Sequence, residues 1–172
     1  MNDKKVQKCL SLLERTEYYD DEGEWQIAGS DWLLLSGSTL RSWAANAEQF
    51  LGADAKSIMY MTGKQAGERF AERLMEQGLR GEELMYALET FFSNEGWGKV
   101  KARLNLKEQT ASVRIHNSVT TRQIESDKPV CHFISGYIAG ASSVIFGKKT
   151  ECVEAKCKAE GDAFCEFNAN CS

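Results

Sequence analysis

The sequence predicts an α+β fold: an antiparallel sheet packed against several helices, with a C-terminal hairpin closing it. Three observations predict it. Apolar residues recur at helical spacing through the first half, the period drops to two after Gly96-Trp97-Gly98, and five of six cysteines fall within residues 131–172. A chain of 172 residues can bury roughly 70% of its unfolded surface, enough for one domain with its own core. At 42% hydrophobic and 27% charged, the composition excludes disordered, collagen-like and coiled-coil classes.

The elements follow in order. Val6, Cys9 or Leu10, and Leu13 predict a short amphipathic helix over residues 3–18, ended by the polar stretch Tyr19-Asp20-Asp21-Glu22-Gly23. Trp25-Gln26-Ile27-Ala28 and Trp32-Leu33-Leu34-Leu35 read as strands or extended pieces. A helix begins near Ser38 or Thr39 and stops at Gly52. Asp54 suits the cap of a long helix that sends Ile58, Met61, Phe70 and Leu74 toward a core and ends at Gly78. Gly81 precedes a third helix, Glu82 to about Asn94, with Leu84, Leu88, Phe91 and Phe92 on its apolar side. The alternating runs 99–106 and 111–116 predict an antiparallel pair with one wet face. Pro129 suits the first turn of a helix carrying Val130, Phe133, Ile134, Tyr137, Ile138, Val144 and Ile145 and ending at Gly147. Residues 150–168 read as two strands around the turn Glu160-Gly161-Asp162.

Charge and hydropathy narrow the function classes. No apolar run reaches the ~20 residues of a membrane helix, and the N-terminus lacks the apolar core of a signal peptide, which predicts a cytoplasmic protein with no membrane partner. A net charge of -4, with only loose basic clusters, disfavours direct nucleic-acid binding, which needs a concentrated basic face. In a reducing compartment Cys9, Cys131, Cys152, Cys157, Cys165 and Cys171 serve as thiols, metal ligands or redox sensors rather than as structural disulfides.

The cysteine spacing suggests a metal site. If Cys157 and Cys165 flank a hairpin turn at Gly161, their thiolates can meet and supply half of a tetrahedral zinc site. Glu151 or Glu154, with Cys131 or its neighbour His132, would complete it. The bland alternative is that these cysteines are small apolar core residues. There is no Gly-x-Ser-x-Gly and no phosphate-cradling glycine loop, so nothing makes a positive case for catalysis.

The run Pro129-Val130-Cys131-His132-Phe133-Ile134-Ser135-Gly136-Tyr137-Ile138-Ala139-Gly140, followed by Phe146-Gly147, Glu154-x-x-Cys157, Gly161-Asp162 and Cys165, resembles the 4-vinyl reductase domain family. Tyr60-Met61-Thr62-Gly63-Lys64-Gln65-Ala66-Gly67 and Gly96-Trp97-Gly98 extend the resemblance over about residues 30–168. The family includes the effector-sensing domains of phenol- and toluene-responsive activators and is related to a bacteriochlorophyll-pathway protein. The intervals 23, 3 and 8 between Cys131, Glu154, Cys157 and Cys165 are those of the sensors' zinc site, so the resemblance implies zinc on those four residues. It divides the chain into an N-terminal helix and strand at 1–29, serving in dimerisation, and a ligand-binding domain at 30–172. Two departures stand out: the sensors continue into ATPase and DNA-binding modules, and Ile115 stands where they place a pocket tryptophan.

The resemblance further implies a small-molecule pocket. Its candidate lining is Phe70, Leu88, Phe92, Trp97, Val113, Ile115, Tyr137 and Phe146, with an apolar or aromatic molecule entering between the long helix and the helix after Pro129. The pairs Gly63/Gly67 and Gly136/Gly140 signal either close helix packing or room for that ligand. His116 and His132 are either hydrogen-bonding residues for the ligand or structural. Trp25, Trp32 and Trp43 are either a homodimer face or ordinary core. The expected function is a zinc-containing sensor or regulatory domain that signals to a separate partner. A cysteine-based redox sensor and a subunit of tetrapyrrole vinyl reduction are the alternatives.

Overall fold

The computed structural model describes residues 16–19, 21, 23–27 and 30–172. Strands β1 (Thr16–Tyr19), β2 (Glu24–Ile27) and β3 (Ser30–Trp32) pair antiparallel in a small sheet. Helices α1 (Gly37–Leu51), α2 (Asp54–Glu76) and α3 (Gly81–Asn94) follow. Then come β4 (Lys99–Asn105), β5 (Thr110–His116), α4 (His132–Phe146), β6 (Thr150–Lys156) and β7 (Cys165–Cys171). The last four strands form one antiparallel sheet in the order β4-β5-β7-β6, and α4 packs on β6 and β7. The α+β expectation and the C-terminal hairpin are both present. No helix among the described residues is long and apolar enough to cross a membrane.

Local differences from the expectations have physical causes. Residues 1–15 of the expected first helix lie outside the described residues, and 16–18 stand in β1, where the Tyr18 ring lies 4.9 Å from its cross-strand partner Trp25. The segment expected from Trp32 to Leu35 leaves the sheet after Trp32, and Leu33, Leu34 and Leu35 are exposed. Ser36 caps α1 by accepting the Thr39 N–H, and Gly52 ends it. Asp54 is the first residue of α2 rather than its cap. The buried stripe of α2 runs Ala55, Met59, Gly63, Gly67, Phe70, Leu74, so Ile58 and Met61 fall beside it and stay about half exposed, 49% and 51%. Pro129 and Val130 precede α4, and Cys131 is its N-cap, because Glu154 takes the Cys131 backbone N–H.

The glycine pairs set the centre of the fold. A Cβ on Gly63 or Gly67 would lie 2.0 Å from the Phe133 carbonyl oxygen or 2.1 Å from that of Tyr137. One on Gly136 or Gly140 would lie 1.9 Å or 2.0 Å from the carbonyl oxygens of Tyr60 and Lys64. Helices α2 and α4 therefore cross backbone against backbone. The crossing leaves no room for a ligand at these four positions, so the glycines serve close packing.

The core has two parts that meet at Phe92. One fills the space between α4 and the large sheet, around Val100, Val113, Ile115, Ile134 and Phe167. The other joins α2, α3 and α4 through Phe70, Leu74, Leu84, Leu88 and Phe91. Trp32 belongs to this second part rather than to a dimer face, with its ring 5.0 Å from Phe91 and 5.6 Å from Phe70.

Candidate metal centre and interior cavity

Four residues from three places in the chain converge where the C-terminal hairpin meets α4. Cys131 comes from the α4 N-cap, Glu154 from β6 next to an irregularity in the β6–β7 register, Cys157 from the end of β6, and Cys165 from the first position of β7. Their donor atoms all lie within 4.8 Å of one another. The three cysteines are fully buried. Cys131 Sγ and Cys165 Sγ are 3.8 Å apart, far beyond a disulfide bond. A tetrahedral ion with metal–sulfur bonds of about 2.3 Å spaces its sulfurs about 3.8 Å apart, so this pair already stands at ligand separation.

The surrounding hydrogen bonds leave one donor free. Glu154 Oε2 accepts the Cys131 N–H at 2.9 Å, whereas Glu154 Oε1 is buried with no hydrogen-bond partner among the described residues. An orphaned carboxylate oxygen beside three thiols is the feature a cation would satisfy. Thr120 Oγ1 lies 3.1 Å from Cys131 Sγ, the Lys158 N–H donates to Cys165 Sγ at 3.4 Å, and Asp162 Oδ2 accepts the Cys157 N–H at 2.9 Å. These bonds orient the ligand-bearing turns.

Electrostatics point the same way. Burial pushes the Glu154 carboxyl up to about 8. Hydrogen bonds with Cys131 and Cys165 hold Cys157 far below the ordinary thiol value, while the bond to Cys157 and burial push Cys131 up. Cys165 is pushed up to about 12: its bond with Cys131 lowers it, but its bond with Cys157 and burial outweigh that. Without a cation, then, only one of the four acids is ionised near neutral pH. A divalent ion allows all four to ionise. With no obvious open position, such a site is a structural clasp between hairpin and helix. Outside the cluster, burial pushes Cys152 up to about 12, and Cys171 is half-buried. Cys9 lies outside the described residues.

Six of the eight candidate pocket residues line two small apolar cavities between α3, α4 and the sheet, each about 40 Å³. Phe92, Val113 and Tyr137 border both, Leu88 borders one, and Trp97 and Ile115 the other. Phe70 instead packs with Trp32 and Phe91, and Phe146 lies half-buried against the sheet-side core, lining neither cavity. Sequence reasoning missed Val100 and Ile138, which border both. The β4 alternation marked Val100, and Ile138 sits one turn from Ile134. Neither histidine lines these cavities: His116 lies against Phe164, and His132 borders a separate outer cavity.

Tyr137 is the polar exception in this apolar space. Its hydroxyl is buried with no hydrogen-bond partner among the described residues, and burial pushes its pKa well above the ordinary tyrosine value.

Residues 111–170, from β5 through β7 and including all four residues of the cluster, match the family model of the 4-vinyl reductase domain. An uncharacterized protein of Methanocaldococcus jannaschii is 24% identical over 123 residues, 71% of this chain and 68% of the relative. The crystal structure of the phenol-responsive sensory domain of the transcription activator PoxR with phenol superposes with a TM-score of 0.82 at 20% identity, covering 99% of this chain and 92% of that one. A vinyl-4-reductase family protein from Methanocaldococcus jannaschii gives a TM-score of 0.52 at 18% identity, covering 84% and 99%. Both structural likenesses are of fold.

Proposed function

We propose that the chain is a zinc-clasped sensor domain that binds a small apolar or aromatic molecule carrying one polar atom, in the interior space around Tyr137. The Tyr137 hydroxyl is the observation that carries this reading. An unpaired buried hydroxyl costs roughly 1–3 kcal/mol, and a ligand hydroxyl would remove that cost. The shared fold with a domain crystallised with phenol supports the ligand class. Zinc is the metal of choice because three thiolates and a carboxylate at tetrahedral spacing suit it.

The two cavities, about 40 Å³ each, fall short of the roughly 150 Å³ that holds benzene. Binding therefore selects a state in which side chains such as Phe92 and Ile138 have yielded, and the ligand's differential affinity for that state is the signal. The receiver is a separate protein in the reducing cytoplasm, which suits a buried cluster of free thiols. A second copy of the chain covers the exposed apolar side chains Leu33, Leu34, Trp43 and Phe50. Leu34→Glu with Phe50→Glu gives a monomer in native mass spectrometry if that face is the dimer contact.

The deciding experiment is methyl NMR of the zinc-loaded protein with phenol, toluene and indole. The reading expects shifts at Val113 and Ile138, and a preference for phenol over toluene that Tyr137→Phe abolishes. No shift at either methyl group with any of the three compounds overturns it.

A further inference from the structure

A partly enclosed cavity other than the two interior ones lies at the start of α4. It measures about 200 Å³ and sits between α1, the first turns of α2 and α4, and the connection at 118–130. Its origin is local. Helix α1 buries no residue, and the side chains it turns to the cavity include the small Ala44 and Ala45. The floor is apolar, built from Ala55, Met59, Val130 and Phe133. The volume exceeds the roughly 150 Å³ that accommodates benzene, so a single ring fits without rearrangement.

The charges around the rim are unequally spent. Lys128 is paired with Glu48 at 3.0 Å, and Arg41 donates to the Val119 carbonyl at 2.9 Å. Glu125 is exposed and screened by water. Lys56 is half-buried and makes no hydrogen bond or ion pair among the described residues. A half-buried, uncompensated ammonium beside an apolar floor matches one kind of molecule.

We infer that this outer cavity is a second small-molecule site, which takes a carboxylate with a compact apolar body and pairs the carboxylate with Lys56. It shares Phe133 with one of the two interior cavities as a common wall and otherwise has its own lining. Its position also brings a ligand against the support of the metal centre. Thr120 lines the cavity while its hydroxyl meets Cys131 Sγ, and Val130 and His132 flank Cys131 in sequence.

Amide NMR of the zinc-loaded protein tests the inference with benzoate and phenylacetate, using benzyl alcohol as the neutral counterpart. The expected result is carboxylate-induced shifts at Ala44, Lys56 and Ile124. Lys56→Glu then weakens benzoate binding at least about tenfold and leaves benzyl alcohol unchanged. Ala44→Phe, which fills the space from exposed α1, abolishes both. The inference is overturned if millimolar benzoate and phenylacetate leave those amides unmoved, if their shifts fall only at Val113 and Ile138, or if Lys56→Glu has no effect. Nuclear Overhauser contacts from residues 1–15 to Met59 also overturn it, by giving the cavity an occupant from the chain itself. Phenol shifts at Val113 and Ile138 are read separately in the same protein, so failure here and failure of the sensor reading are distinguishable.

Discussion

Glu154 Oε2 accepts the backbone N–H of Cys131 at 2.9 Å, joining strand β6 to the first residue before helix α4. One carboxylate thus ties the two elements with one oxygen and leaves its other oxygen, buried and unpartnered among the described residues, facing the demand for a cation. Were a cation bound there, its retention and the position of helix α4 would be linked through a single side chain.

The ionisation pattern predicts a proton count. Near pH 7 the metal-free cluster holds Cys157 as thiolate and keeps protons on Glu154, Cys131 and Cys165. Binding one divalent ion with all four ligands ionised releases about three protons, and affinity rises with pH. The stability of the metal-free protein carries opposing contributions. That of Glu154, whose folded value is raised from 4.5 to about 8, is present below 4.5 and lost as pH rises through about 8. That of Cys157, whose folded value is depressed, is present above its ordinary 9.0 and lost as pH falls. Zinc titration calorimetry in buffers of different ionisation heat reads the count. A release near zero at pH 7 contradicts the arrangement.

Thr120 offers a test of the metal's surroundings. Its hydroxyl lies 3.1 Å from Cys131 Sγ and 2.9 Å from Ser118 Oγ. Thr120→Val preserves shape and removes that contact. Loss of an outer hydrogen bond to a ligand typically weakens metal affinity about 10- to 100-fold. Competition with a chromophoric chelator measures the change, and an affinity equal to that of the unmodified protein shows that Thr120 does not support the thiolate.

What the sequence could show depended on whether a signal was local. The β4–β5 pair and the stop of α4 at Gly147 were legible because alternation and a left-handed glycine, φ 65°, are properties of single segments. Spacing within the hairpin pointed to Cys157 and Cys165 but left Glu151 or Glu154 and Cys131 or His132 open; only the family resemblance singled out the four residues that the fold brings together. The face of α2 was not. Glycines at 63 and 67 turned its buried stripe toward α4, so hydrophobicity at Ile58 and Met61 misled while Ala55 and Met59 went unnoticed. The outer cavity was invisible for a related reason: small residues such as Ala44 and Ala45 border it, and a gap leaves no pattern in a sequence. Phe70 was placed in the pocket that the resemblance implied, and the packing of Trp32 and Phe91 against it puts it in the core instead.

The helix crossing predicts a large penalty for the smallest substitution. Gly67→Ala improves helix propensity by about 1 kcal/mol but places a Cβ 2.1 Å from the Tyr137 carbonyl oxygen, backbone that cannot move alone. Overpacking of this kind costs about 1–3 kcal/mol or more, so the net change is destabilising. Urea unfolding measures it, and equal or greater stability would mean that the two helices have freedom to separate.

Tyr137→Phe runs against the usual expectation for a buried deletion. In a core, removing a hydrogen-bonded hydroxyl strands its partner and costs stability. Here the hydroxyl has no partner among the described residues, so the substitution removes a desolvated polar group while keeping the ring that packs 4.7 Å from Phe92. The ligand-free protein should gain about 1 kcal/mol, or at least lose nothing, in urea unfolding. The same variant should lose the phenol-specific part of its ligand stabilisation and keep the toluene part, because only the hydroxyl contact has gone. A loss of more than about 1 kcal/mol in the ligand-free protein would show that the hydroxyl is satisfied in solution, for instance by ordered water. The group that distinguishes this cavity from ordinary core would then be structural, and the reading of the interior as a ligand site would lose its main support.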